Sequence, residues 1–116
     1  MRIDILSAVP GLFEVPFSDS IVKRAQEKGL VEIVVHNIRD WSTDKHNKID
    51  DEPFGGSAGM VLKIQPIADA IESLQSERHY AEVVFLTPDG EQLRQAAVNH
   101  LSMQGNLILL LSLIHI

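Results

Sequence analysis

The sequence has no cysteine, which removes disulfide frameworks and thiolate metal sites together and leaves nothing that points to secretion. It has no long apolar run either. The longest, LILLLSLIHI at the C-terminus, falls well short of the ~18 residues of a membrane span. The N-terminus, MRIDILSAVP, carries one positive charge and only a short apolar stretch before Pro10, too little for a signal peptide. A cytoplasmic protein with no membrane partner is the expectation. Net positive charge is also missing. At -6 the chain is not attracted to phosphate backbones in general, so DNA is not expected as a partner and any nucleic-acid site must be a local patch. Aromatic residues are scarce, at 5%, so the lone Trp41 is the one indole available as a stacking platform, although a core anchor is its more usual role.

What is present is an ordinary globular mixture, 45% hydrophobic and 22% charged over 116 residues, which suits one domain or a piece of a larger one. Strands and helices alternate along it. Arg2 to Ser7 (RIDILS) reads as a strand ended by Pro10-Gly11. Ser18 to Lys28 reads as a helix with Ile21, Val22 and Ala25 on one face, stopped by Gly29. Val31 to Val35 is the next strand, followed by an irregular stretch from His36 to about Lys63. A second helix is expected with Pro66 in its first position and a stripe of Ile67, Ala70, Ile71 and Leu74. Glu82 to Leu86 (EVVFL) is a strand, Glu91 to Leu101 a helix with Leu93, Ala97 and Leu101 in register, and Asn106 onward (NLILLL) a buried strand. This order predicts an α/β fold: an open, mostly parallel sheet with helices on both faces.

Ligands of such sheets collect at the carboxyl ends of the strands. Two connections lie there, the short LTPDG after EVVF and the long one after VEIVV. The long one far exceeds the ~4–6 residues usual for a connection. It is basic at first, with Arg39, Lys45, His46 and Lys48, then acidic and glycine-rich in DDEPFGGSAGM, residues 50–60. Gly55, Gly56 and Gly59 let a ligand approach the main chain. Asp50, Asp51 and Glu52 would repel a bare phosphate but can accept hydrogen bonds from the N–H groups of guanine. They can also hold Mg²⁺ through water, although adjacent loop aspartates are more often simply solvated. A solvated loop with turn glycines fits the same spacing. The five histidines have no metal-ligand spacing, and no serine sits in a nucleophile elbow.

DDEPFGGSAGM, followed by a short apolar stretch and QP, resembles the signature of the bacterial tRNA (guanine-N1)-methyltransferase (TrmD) family, in which Asp-Asp-x-Pro-aromatic-Gly-Gly-x-x-Gly-Met recurs. KRAQEKGLVEI, HNIRDWSTDKH and the LTPDG turn fall in the family's order, so the resemblance runs from Met1 to about Leu110. It implies a homodimeric methyltransferase of the SPOUT class with a trefoil knot. Such an enzyme moves a methyl group from S-adenosylmethionine to N1 of the guanine 3′ of the anticodon, position 37 of tRNA. By the same resemblance Phe85, Leu86 and Pro88 lie against the cofactor, and His46, Asp50 and Gly59 face the tRNA and its target base.

Two departures stand out. Ser57 replaces a third consecutive glycine, an effect expected to be mild. After NLILL the family continues into a glycine-bearing knot segment, whereas this chain reads LSLIHI. Residues 1–110 are therefore expected to be the N-terminal part of a SPOUT domain and residues 111–116 a non-native tail. The family's general base, an aspartate, has no counterpart here. The chain alone is expected to be inactive, with its apolar strand LILLLSLI exposed for edge-to-edge pairing. Two rival readings remain: a non-catalytic α/β nucleotide- or RNA-binding module, and a SPOUT RNA methyltransferase with another target base.

Overall fold

The computed structural model of the chain describes residues 1–17, 20–43, 50–51, 61–62, 64–86 and 90–111. Four strands, β1 (Arg2–Ser7), β2 (Glu32–Asn37), β5 (Glu82–Leu86) and β6 (Asn106–Leu111), form one sheet in the order β2-β1-β6-β5, and every pairing in it is parallel. Two further strands, β3 (Asp50–Asp51) and β4 (Val61–Leu62), form an antiparallel pair of their own. The helices are α1 (Glu14–Phe17), α2 (Ser20–Glu27), α3 (Ile64–Glu77) and α4 (Gln95–Ser102), with 3-10 turns at Pro10–Phe13 and Ile38–Trp41.

Strand alternation sends Leu6 of β1 and Ile108 and Leu110 of β6 to one face. There they meet Ala70 and Leu74 of α3, together with Ile38 and Tyr80, to form the main core. The opposite face carries Ile3 and Leu107, which line one open cavity with Val98 and Leu101 of α4. It also carries Ile33 and Val35 of β2 beside Pro10, Phe13 and Phe17. Helices therefore cover both faces, as the apolar strands require. The crossovers β1 to β2 and β5 to β6 step the same way across the sheet and use one face. The crossover from β2 to β5 steps back and uses the other, so a single hand serves all three.

Strands β1 and β5 begin and end where the sequence places them. The helix expected over Ser18 to Lys28 is α2, and it stops as expected. Gly29 has φ 72°, its N–H bonds to Gln26 O at 3.1 Å, and Leu30 N bonds to Ala25 O at 3.0 Å, the paired bonds of a Schellman cap. Its inward side keeps only part of the expected stripe. Val22, Ala25 and Gln26 are half-buried while Ile21 is 75% exposed, and Gln26 donates to the Phe17 carbonyl at 2.7 Å.

Other boundaries move for local reasons. Strand β2 covers Glu32–Asn37, so His36 and Asn37 belong to the sheet and not to the irregular stretch. Pro66 is the third residue of α3, still inside the first turn, where its missing N–H costs nothing. Helix α4 starts at Gln95, after an Arg94 whose side chain makes no capping bond; Leu93 lies before it and is exposed. The run DDEPFGGSAGM, read as free of strand character, opens with β3. The expectation that the apolar strand near the C-terminus is exposed also fails over Asn106–Leu111. Strand β6 lies between β1 and β5, with Leu107, Ile108 and Leu110 buried, and the sheet edges are β2 and β5. Residues 112–116 lie outside the described residues.

Candidate functional site

The parallel register brings the carboxyl ends of the strands level. Ser7 pairs with Asn37, Leu6 with Leu110, and Leu86 with Leu111. At the end of β5 two large apolar side chains are left uncovered, Phe85 at 55% exposure and Leu86 at 42%. Both belong to the turn singled out from the sequence; Pro88 lies outside the described residues.

At the end of β2 the chain turns at once into the Ile38–Trp41 3-10 turn. Asn37 caps it, its side-chain oxygen accepting from Arg39 N at 3.0 Å, and Ile38 is driven fully into the core. The Arg39 guanidinium reaches across to donate to the Ala8 carbonyl, just past β1. Ser7 Oγ accepts from Val9 N at 3.0 Å and bends the same segment. Trp41 packs half-buried against the core, as a core anchor, with its ring edge-on to His36 at 5.8 Å between centroids. Of the three residues expected to face tRNA, His46 and Gly59 lie outside the described residues. Asp50 is placed by its backbone in β3, opposite Leu62, so Asp50–Asp51 lie beside Val61–Leu62.

A second cluster was not anticipated. Asp4 of β1 is fully buried and accepts from four donors. Arg2 Nε and Nη2 approach it at 3.0 and 3.1 Å, His36 Nε2 lies at 2.7 Å, and Tyr80 OH at 2.5 Å. Burial by itself raises the Asp4 carboxyl, but the hydrogen bonds from Arg2, His36 and Tyr80 outweigh it and hold the group below the usual carboxylate range. Tyr80 moves up, through burial and then through its bond to the carboxylate. The sequence held one signal, an acidic residue between Ile3 and Ile5 of a strand with Arg2 two positions before it on the same face. With every accepting position filled inside the core, this carboxylate is structural and cannot take a substrate's proton.

Chemically, then, the end of β5 offers an exposed apolar pair, Phe85 and Leu86, able to pack against a flat ring. Among the described residues no group of three or more His, Asp or Glu could hold a metal ion, and the Asp50-Asp51-Glu52 run lies only partly within them.

Comparison with known proteins bears on the family and the fold. A family profile described as tRNA (Guanine-1)-methyltransferase TrmD matches residues 1–113. A tRNA (guanine-N(1)-)-methyltransferase of Bacteroides fragilis is 56% identical over 110 residues, covering 95% of this chain and 49% of that protein. The protein of the same name from Azobacteroides pseudotrichonymphae genomovar. CFP2 is also 56% identical, over 95% of this chain and 50% of its own length. The crystal structure of tRNA (m1G37) methyltransferase from Aquifex aeolicus matches with a TM-score of 0.84 at 31% identity, over 95% of this chain and 50% of that one. The chain spans about half the length of the curated relatives it matches.

Proposed function

The chain belongs to the tRNA (guanine-1)-methyltransferase family, and from that premise we propose that it supplies about half of an enzyme that methylates N1 of the guanine 3′ of the anticodon in tRNA, with S-adenosylmethionine as methyl donor. The observation that carries this is the identity of 56% across 95% of the chain, reached with a family profile running through residue 113.

The reaction sets the requirements. S-adenosylmethionine, when bound, would supply the methyl group that guanine N1 accepts. The proton that neutral guanine carries at N1 passes to a base, which by family resemblance is an aspartate outside this chain. This half of the enzyme binds and orients. Phe85 and Leu86, exposed and apolar at the end of β5, with Pro88 after them, suit the flat adenine of the methyl donor. His46, Asp50 and Gly59 are assigned to the tRNA. In that role Asp50 accepts from guanine N–H groups and Gly59 permits close approach of the base. A homodimer with a trefoil knot, working in the cytoplasm, completes the reading. Among the described residues no helix is long and apolar enough to cross a membrane.

The test joins residues 1–110 to the part of the Bacteroides fragilis relative that they do not cover, and assays methyl transfer to tRNA transcripts with and without guanine next to the anticodon. Transfer confined to transcripts with that guanine is expected. Equal transfer to both would assign the enzyme another target base. Residues 1–116 alone should neither transfer methyl groups nor bind S-adenosylmethionine by calorimetry.

A further inference from the structure

One side chain ties together the two stems of the connection between β2 and α3. Gln65, the second residue of α3, donates from Nε2 to the Trp41 carbonyl at 2.7 Å and to Asp69 Oδ2 at 2.5 Å. Its Oε1 accepts from Thr43 N at 3.5 Å and Thr43 Oγ1 at 3.4 Å. These partners fix which way the amide points. The Trp41 carbonyl and the Asp69 carboxylate can only accept, whereas the Thr43 N–H can only donate, so the reversed amide would lose all three.

Both anchors of this clamp are rigid. Helix α3 is held by buried Pro66, Ala70 and Leu74, and the Ile38–Trp41 turn by fully buried Ile38. Thr43 and Asp69 are exposed and Gln65 is half-buried, so the clamp adds little to the core itself. What it fixes is spacing. His46 follows Thr43 by three residues in sequence, and the β3–β4 pair that contains Asp50 ends at Leu62, two residues before α3 begins at Ile64. Gln65 therefore sets the stem that leads to His46 against the stem that leads back from Asp50.

We propose that Gln65 is a positioning residue for tRNA recognition, acting through Trp41 and Thr43 and leaving methyl-donor binding untouched. The proposal rests on the tRNA methyltransferase reading above. It places the effect of Gln65 on one substrate only, because Phe85 and Leu86 lie on β5 at the far side of the sheet from β2.

The experiment is steady-state kinetics on the full-length chimera, with Gln65→Leu removing all four hydrogen bonds at similar size and Thr43→Val removing only the hydroxyl. For Gln65→Leu the KM for tRNA should rise about tenfold, while the KM for S-adenosylmethionine and kcat at saturating tRNA stay within about twofold. Thr43→Val should shift the tRNA KM in the same direction by less. An unchanged cofactor KM also certifies the fold of each variant. If the cofactor KM rises in step with the tRNA KM, Gln65 is merely structural and the proposal is overturned, as it is if the tRNA KM stays within about twofold. A parent chimera that methylates no tRNA would remove the substrate reading first, and the role of Gln65 with it.

Discussion

Replacing Asp4 by asparagine keeps the volume of the side chain and removes its charge, which makes it a sharp test of the buried cluster. Each carboxylate oxygen serves two donors: Oδ2 takes Arg2 Nε and Tyr80 OH, and Oδ1 takes Arg2 Nη2 and His36 Nε2. An amide must therefore turn its NH₂ toward two donors whichever way it faces. Beside Arg2, either partner can accept instead, His36 as its other tautomer at the Oδ1 position or the Tyr80 hydroxyl oxygen at the Oδ2 position. Arg2 cannot do so, and its guanidinium, 20% exposed, loses its buried counter-charge. Removing one partner of a buried pair costs about 3–5 kcal/mol. Glu32, at 3.3 Å from Arg2 Nη1, still compensates in part, so the lower end, about 3 kcal/mol, is expected.

Urea unfolding followed by emission of Trp41, the only tryptophan, reads this out. With a slope of about 1.5–2 kcal/mol per molar the midpoint should fall by about 1.5–2 M. The pH dependence adds a second constraint. The Asp4 carboxyl is depressed in the folded state, so its contribution is fully present above the ordinary unfolded value of 3.8 and is lost as pH falls through the lower folded value. The gap between parent and Asp4→Asn should thus be flat at neutral pH and close only below 3.8. A loss under about 1 kcal/mol at pH 7, or a gap that is unchanged on acidification, would refute the reasoning.

Tyr80→Phe deletes one hydrogen bond to a charged acceptor that keeps Arg2 and His36, so about 1.5 kcal/mol is expected by the same unfolding assay. Because the Tyr80 hydroxyl is raised above 10 in the folded state, the parent's advantage should hold below pH 10 and fade as pH climbs through the raised value, a fade the phenylalanine variant lacks. Phe85→Ser, at a side chain 55% exposed, should change stability by less than about 0.5 kcal/mol while weakening S-adenosylmethionine binding to the full-length chimera in calorimetry. In that chimera Asp50→Ala should cost about 1.5–3 kcal/mol in tRNA methylation with cofactor affinity kept, and Gly59→Val should act likewise. Pro88→Gly should weaken the cofactor first, and a loss of cofactor binding as large in Asp50→Ala would move the glycine-rich run out of the tRNA site.

The strands were legible because continuous apolar runs bounded by turn residues have few other solutions, as β1 and β5 show end for end. Gly29 was legible because a left-handed cap position calls for it. The short helices over Pro10–Phe17 and the two-residue strands β3 and β4 escaped because neither is long enough to display a period. Helix α4 was drawn four residues too early because Leu93 continues its apolar spacing, yet the helix starts only after Arg94, whose side chain makes no capping bond. Of the site, the topology made the strand ends legible, and Phe85 and Leu86 are exposed at one of them. The roles assigned to individual residues came from family resemblance and not from spacing. Asp4, His36 and Tyr80 could not be joined in advance. Their contacts span 32 and 76 positions of sequence and exist only once the register is known.

That register is where the buried cluster and the strand ends meet. Strands covered on both faces, with apolar side chains pointing both ways, resist a slip only weakly through hydrophobic pattern alone. Asp4 supplies what the pattern lacks, because it sits on the central strand β1 and binds His36 of edge strand β2 on one side and Tyr80, two residues before edge strand β5, on the other. A slip of β1 by one residue would turn Asp4, and Arg2 with it, to the opposite face, putting two charged groups among Ile33, Val35 and Leu107 and leaving His36 and Tyr80 without their acceptor. The register that avoids this also brings Ser7 level with Asn37 and Leu86 level with Leu111. Arg39 can then reach the Ala8 carbonyl from the turn after β2, and the turn after β5 starts from a defined height. The buried charge therefore specifies, from inside the sheet, where the connections that carry the candidate site begin.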